Sequence, residues 1–415
     1  MKPYPRGVTR ALWLLCLMGS LVGAAVTQNV PPANQPVSWQ ATQERFRPND
    51  AATRSGIEHF YNLEYEAAIR DFEQARRDHP QDPFAVNHLL SAVLFQELYR
   101  IGALDTELYA KNSFLTSKQF PVDPKIDQQI KLLMSDAIKL SEAQLKQNPN
   151  DVDALYARGV TRGLRATYIG LVQKAWFAAL RSAVAARRDH ERVLQLDPGY
   201  SDAKLIVGVH NYVLGSMSWA MKAAVSVVGL GGNKSKGLQY LREAAEGGGE
   251  TSVDAKMALS MFLRREQRYP EALQLVHGLV TDHPRNFLFA LEEANLLNAA
   301  GQGPEAIAAY RRLLQAHQHG FYPGAHLEMA CYGLGEALRG QRDYKEAAGA
   351  YDEALEAKQA DPEMRQKASL AAGEMYDLLQ ERQVAVLRYE AALNGNPERA
   401  QLAKKYLKAP YRVEN

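Results

Sequence analysis

The sequence predicts an all-α protein, a right-handed superhelical solenoid of about eight helix pairs with three insertions and a C-terminal capping helix. Three observations lead there. At 415 residues the chain is too long for one compact core, so it either divides into domains or extends its core by repetition. Small and aromatic residues recur along it in one fixed register, which is the mark of repetition. Its cysteines are Cys16 and Cys331 alone, so packing rather than crosslinking has to hold the fold.

At the N-terminus, Lys2, Arg6 and Arg10 precede an apolar run from Ala11 to Val26 that closes on Gly23-Ala24-Ala25. A charged start, a short apolar middle and a small-residue end describe a signal peptide over residues 1–25, cleaved after about Ala25. The run is shorter than the ~20 apolar residues of a spanning helix. The expected location is therefore periplasmic or secreted, and the alternative is a chain anchored by an uncleaved N-terminal helix. Cys16 follows Trp13-Leu14-Leu15 rather than the small residue that precedes a lipidated cysteine. Cleavage leaves Cys331 without a disulfide partner in its own chain. Residues 26–50 are polar and carry Pro31, Pro32, Pro36 and Pro48, which reads as a flexible linker.

The repeat is clearest near the C-terminus. Gly373 and Tyr376 fall in a first helix, and Ala385, Tyr389, Ala392 and Pro397 fall in and after a second. The same register returns at Gly56, Ala68, Phe72, Ala75 and Pro80, and at Gly335, Ala347, Tyr351 and Ala354. Weaker copies are Tyr269, Ala272 and Pro284, then Ala294, Ala306 and Tyr310; three further units begin near Pro83, Asp151 and Ser201, each interrupted by an insertion. The small residues stand where two helices cross too closely for larger side chains. The aromatic of the second helix fills the gap to the next repeat, and proline stops the helix.

On these residues the stretch from Gly56 to about Tyr411 is identified as a member of the tetratricopeptide repeat superfamily, whose unit is about 34 residues. The resemblance implies repeats over 51–250 and 251–410, a polar capping helix over 398–408, and a scaffold that binds a protein or peptide partner. A narrower likeness lies in Gly208-Val209-His210-Asn211-Tyr212 and in Gly237-Leu238-Gln239-Tyr240-Leu241-Arg242-Glu243-Ala244-Ala245. These are similar to the tetratricopeptide repeat protein 39 and inclusion-body clearance group. That likeness implies no enzymatic activity and, for part of the group, an association with lipid droplets or the mitochondrial outer membrane. The leader departs from such an intracellular setting.

A pure array needs no interruptions, so the insertions near 101–123, 164–182 and 216–236 are where individuality is expected. The first carries Tyr109, Phe114 and Phe120, and the second Tyr168 to Val172 and Ala175 to Leu180. The third carries Trp219, Met221, Val225, Val227, Val228 and Leu230. Trp176 and Phe177 of the second and Trp219 and Met221 of the third are the candidate contact residues. These apolar stretches either pack into a local core, wall a pocket for a lipid or other apolar ligand, or dock on a membrane surface through Trp219 and Lys222.

First helices line the concave face of such arrays, which makes Phe60, Tyr156 and Tyr212 groove candidates in the first half. Met261, Arg264, Asn295, Asn298, Glu336, Arg339, Glu374 and Asp377 are the candidates in the second half. The first set reads as aromatic and the second as polar, set against the plainer reading of solvated or intrahelically paired side chains. Leu291 stands where a lysine would precede Asn295 in a carboxylate clamp, so a chaperone C-terminus is not the expected ligand.

Lys plus Arg number 49 against 47 Asp plus Glu, which supplies no broad cationic field and argues against nucleic acid. No nucleophile elbow, phosphate loop or metalloprotease helix occurs, and no catalytic residue, metal or cofactor is expected. His317, His319 and His326 are the nearest approach to a metal set and read better as an exposed polar loop. Cys331 reads as a buried small hydrophobe, Asn233-Lys234-Ser235 as a glycosylation sequon without an assigned role, and His210 as packing. The expected function is a non-enzymatic interaction scaffold outside the cytoplasm. The alternative is a carrier or sensor of an apolar small molecule.

Overall fold

The computed structural model of the chain describes residues 46–104, 106, 122–217, 219, 222 and 231–413. The expected leader, most of the expected linker, Tyr109, Phe114, Phe120 and Met221 lie outside them. Every regular element among the described residues is helical. The chain forms two compact units, divided between Phe262 and Leu263. The first holds α1 (Ala51–Tyr61), α2 (Tyr65–Asp78), α3 (Pro83–Arg100), α4 (Pro124–Gln147), α5 (Val152–Thr167), α6 (Trp176–Leu196), α7 (Ala203–Gly215) and α8 (Lys234–Glu246). Helix α9 (Ser252–Arg265) runs through the division. The second unit continues with α10 (Tyr269–Asp282), α11 (Phe287–Ala299), α12 (Gly303–Gln318), α13 (Leu327–Gly340), α14 (Tyr344–Glu356), α15 (Pro362–Leu378), α16 (Arg382–Ala391) and α17 (Pro397–Lys408). Neighbours in sequence pack on each other, α1 on α2, α3 on α4, α5 on α6 and α7 on α8, then α11 on α12, α13 on α14 and α15 on α16. None of the described helices is long and apolar enough to cross a membrane.

Helix starts are written in short polar residues. Asp50, Asp151, Asn233, Asn286 and Asp361 each accept a hydrogen bond from a backbone N–H in the first turn of α1, α5, α8, α11 and α15, satisfying donors that have no intrahelical partner. Proline follows in the first turn of α3, α4, α15 and α17, where its missing N–H costs nothing. Asn233, the sequon residue, is thus occupied as a helix cap.

The turn inside five of the pairs is also repeated. Leu63, Gln267, Arg342 and Gln380 take left-handed conformations with φ of 62°, 58°, 62° and 65°, and Gly301 does so at 76°. The next residue then donates its N–H back across the turn, from Glu64 to His59 O, Asp343 to Leu338 O and Glu381 to Tyr376 O, each within 3.0 Å. This closes the end of the first helix in the Schellman manner. Only Gly301 is a glycine, so the other turns hold side-chain-bearing residues in a costly backbone region because flanking helix packing determines it.

The register of small and aromatic residues is a set of helix crossings. A Cβ at Gly56 would lie 2.5 Å from the Phe72 ring, at Gly335 2.5 Å from Tyr351, and at Gly373 2.6 Å from Tyr389. One turn before each aromatic, Ala68, Ala347 and Ala385 are fully buried. Two insertions leave the crossing intact while lengthening the connection. In α5 and α6, Gly159 faces His190 with buried Ala186 a turn earlier; in α7 and α8, a Cβ at Gly208 would lie 3.0 Å from Leu241, with Gly237 a turn earlier. Within the insertion near 164–182, Tyr168 to Val172 form a π-helix whose Tyr168 and Val172 join the core of α2, α3 and α4, and the Tyr168 phenol donates to Asp127. Phe177 is half exposed. At the far end Ala403, Tyr406 and Leu407 of α17 cover the core around Tyr389.

Because the Tyr389 ring has no room to move, Gly373→Ala and Ala385→Leu are each expected to cost about 1–3 kcal/mol. Gly278, in α10, has nothing within 4 Å of a Cβ position, and Gly278→Ala is expected to stabilise by up to about 1 kcal/mol. Thermal unfolding of the three variants checks the sign at each position.

Candidate functional site

The first helices of the two units carry different surfaces, and each is described by itself. In the first unit the aromatic candidates are consumed by packing. Phe60 makes edge contacts with Tyr61, Tyr65 and Phe95. Tyr156 is buried between Phe84, His190 and Tyr200, and Tyr212 is buried with its ring stacked 3.9 Å from that of Phe262. The expectation of an aromatic groove lined by Tyr156 and Tyr212 is corrected accordingly: large flat side chains at these positions fill the gaps between repeats, where they gain more by leaving water.

What this unit presents instead is charge around a few aromatics. The Tyr61 hydroxyl donates to Asp254 at 3.2 Å, joining α1 to α9, and His88 Nε2 lies 2.9 Å from Glu250. The same nitrogen donates to the Arg47 carbonyl at 2.8 Å, and Asp202 accepts from Thr251 through its N–H and its hydroxyl. Asp254 is exposed at the surface, yet protein groups crowd around its carboxyl. Desolvation pushes it up to about 6 against the hydrogen bond from Tyr61, and the charges of Glu250 and Asp202 add to the rise. Arg47, from the end of the linker, pairs with Asp153 and lies over the rings of Phe84 and Tyr200. Helical periodicity gave no hint of these long-range partners.

In the second unit the polar candidates are brought together. Asn295 is buried and accepts from the Tyr310 hydroxyl at 2.6 Å. Glu336 accepts from Tyr351 at 2.7 Å, and Arg339 pairs with Glu374 at 2.7 Å. Burial raises the Glu374 carboxyl, Arg339 lowers it and Glu336 raises it again, leaving it above the ordinary value. Burial opposes the charge on Arg339, but Glu374, Tyr351 and Glu336 outweigh it and hold the guanidinium protonated. Asp377 accepts from Arg382, from the Tyr389 hydroxyl at 2.8 Å and from the Tyr411 N–H at 2.6 Å, so it is a tie between helices and tail. Arg264 reaches Glu292 at 3.5 Å, and Asn298 is half-buried; Met261, also half-buried, belongs to the first unit. Three residues of this face escaped the register: Tyr332, one turn before Glu336; Lys367, whose ammonium lies 3.6 Å over the Tyr332 ring; and Tyr411. The first two were detectable as the same helix face one and two turns away, whereas Tyr411 follows the last repeat and has no periodic signal.

The histidines near 317–326 each have a local partner. His317 Nδ1 donates to Tyr322 O and His319 Nδ1 to Gln315 O, both at 2.7 Å, and His326 pairs with Glu328 at 2.7 Å. Among the described residues no group of three or more His, Cys, Asp or Glu is arranged to hold a metal ion. Cys331 is buried, and burial together with Glu353 and Glu328 pushes its thiol up to about 12.

Helix pairs locked by a glycine beneath an aromatic, with a polar row along consecutive first helices, define a repeat scaffold. Residues 257–326 and 291–364 match the family model of the tetratricopeptide repeat, so this stretch is built of tetratricopeptide repeats, and the same crossing recurs outside it at Gly56 and Gly373. Among solved structures it is similar to yeast Tom70, at 14% identity over 85% of this chain and 86% of that one, with a TM-score of 0.41. It is also similar to the C-terminal part of a TPR repeat-containing protein from Cytophaga hutchinsonii, at 14% identity over 65% and 94%, TM-score 0.43. A tetratricopeptide repeat protein from Parabacteroides merdae aligns at 13% identity over 80% and 99%, TM-score 0.34. Likenesses this distant say nothing of partner or activity. No curated protein sequence matches the chain, and the narrower likeness around Gly208 to Tyr212 stays a resemblance.

His210 accepts from Arg187 at 2.7 Å; desolvation and the Arg187 charge lower it to about 4. His190, buried against Gly159, is lowered by desolvation too. Both sit below the ordinary histidine value, so between about pH 6.5 and 4 the unfolded chain binds protons that the folded chain refuses, and stability falls as pH falls. His210→Gln is expected to retain more of its neutral-pH stability at pH 5 than the unaltered chain does. Denaturant unfolding at pH 7.5 and pH 5 checks this, and equal losses in both chains would refute it.

Proposed function

We propose that the protein is a non-enzymatic scaffold that acts outside the cytoplasm and binds an extended segment of a partner protein along the first-helix face of its second unit. The observation that carries this reading is the polar row itself. Tyr332, Glu336 and Arg339 of α13 and Lys367 and Glu374 of α15 are held in place by ion pairs and ring contacts on adjacent first helices. Alternating charges pre-positioned on a rigid surface favour an extended peptide with complementary side chains, because little ordering entropy is lost on binding. The leader over residues 1–25 supports the location, and secretion with an N-terminus near Val26 is the expected outcome in the native host.

A second reading, carriage of an apolar molecule, is favoured by the exposure of Phe177 and of Trp219, which is 84% exposed. A lipid-sized mass retained in native mass spectrometry would support it.

The scaffold reading is tested with a photo-crosslinking residue at Asn298, half-buried on α11, and at Glu305, exposed on the second helix α12. A discrete crosslinked protein at position 298, absent at 305 and lost with Glu336→Lys, is the expected result. Equal labelling at both positions would overturn the reading.

A further inference from the structure

The core of the last repeat is already covered by α17, ahead of Tyr411. Ala403, Tyr406 and Leu407 of α17 cover the core at Leu370, Ala385 and Tyr389, and Arg382 caps the helix through the carbonyls of Tyr406 and Leu407 at 2.7 and 2.9 Å. Beyond Lys408 the chain leaves the helix at Ala409, which is extended, and Pro410 forbids helical continuation. The tail then turns back onto the polar row.

Tyr411 makes four contacts there, three with Asp377 and Arg339 of the polar row and one with Tyr406 at the edge of the end core. Its N–H donates to Asp377 Oδ2 at 2.6 Å. Its hydroxyl accepts from Arg339 at 3.0 Å, and the same guanidinium lies over its ring, 5.6 Å from the centroid. Its ring meets Tyr406 edge-on at 5.3 Å. Arg339 meanwhile keeps its pair with Glu374. One backbone N–H, one phenol and one aromatic face are therefore read by side chains of α13, α15 and α17, in the way an extended peptide is read. The side chain remains half-buried, and Arg412 and Val413 after it are exposed.

We propose that the tail is a built-in occupant of a tyrosine-recognising subsite formed by Arg339, Asp377 and Tyr406, and that the partner segment carries a tyrosine that displaces it. This rests on the scaffold reading above and adds the side-chain chemistry of the partner. Guanidinium stacking and donation to the phenol oxygen select tyrosine over phenylalanine, since phenylalanine lacks the acceptor. Asp377 selects a residue whose N–H is free, which excludes proline at that position and demands extended backbone. A tail tethered only three residues from a fixed helix competes at an effective concentration on the order of millimolar. Partner affinity is reduced by the fraction of molecules in which the tail is closed.

The test uses a fluorescein-labelled peptide of residues 407–415 and three forms of the protein: the full chain, the full chain with Tyr411→Ala, and a chain ending at Ala409. Fluorescence anisotropy is expected to show saturable binding to both altered forms at least about tenfold tighter than to the full chain. Replacing the peptide tyrosine by phenylalanine is expected to weaken binding by about threefold to tenfold, and Arg339→Met to abolish it. Circular dichroism melting establishes that the altered forms are folded, and Tyr411→Ala serves where the shortened chain is not. Absence of saturable binding to folded Tyr411→Ala protein, or equal binding to full and altered chains, overturns the subsite. That result leaves the crosslink at position 298 untouched, whereas loss of that crosslink with intact peptide binding overturns the scaffold reading and not the subsite.

Discussion

The structure depends on one close approach, the seating of an aromatic ring on a glycine of the preceding helix. At Gly56, Gly335 and Gly373 the ring lies where a Cβ would have to be, so the helices of a pair are fixed in both separation and rotation. Dispersion at such short range is lost steeply with any displacement. The phenol or ring edge beyond the crossing is then delivered to the first-helix face, as when Tyr351 donates to Glu336 and Tyr389 to Asp377. The same residue thus locks the pair and orients the acids that line the surface.

That coupling explains how the array tolerates insertion. Chain is added between the two helices of a pair, in α5 to α6 and α7 to α8, while Gly159 with His190 and Gly208 with Leu241 keep the crossing. Histidine at a ring position is tolerated because its Nδ1 donates to the Ala186 carbonyl, which satisfies a polar atom that burial would otherwise make costly. Nearby, buried Asp189 is satisfied by Arg158 and Arg162 at 2.7 and 2.6 Å. A buried charge of this kind is retained only when its partners are fixed.

The two units solve the exposure of their first-helix faces differently. In the first, aromatics are withdrawn into the core and the surface is left acidic, with Asp202, Glu250 and Asp254 near one another and Arg47 lying over Phe84 and Tyr200. In the second, opposite charges alternate and neutralise each other in pairs, with Tyr411 of the tail laid across one of them. A surface of matched pairs gives up little electrostatic energy when a complementary chain replaces water, which suits specificity more than raw affinity.

Much of the fold was legible in the sequence because its determinants are local or periodic. Helix caps such as Asp361, prolines in first turns and the small and aromatic register name both the elements and their crossings, and the polar candidates Glu336, Arg339, Glu374 and Asp377 follow from that register alone. Tertiary structure decided the rest. Whether Tyr156 and Tyr212 face solvent or core depends on rings brought from other helices, Phe84 and Phe262 among them. The link from Tyr61 to Asp254 joins residues far apart in the chain, and Tyr411 reaches Arg339 only because α17 ends beside it. Periodicity records which face of a helix is buried; it carries no information about what a distant or aperiodic segment places against that face.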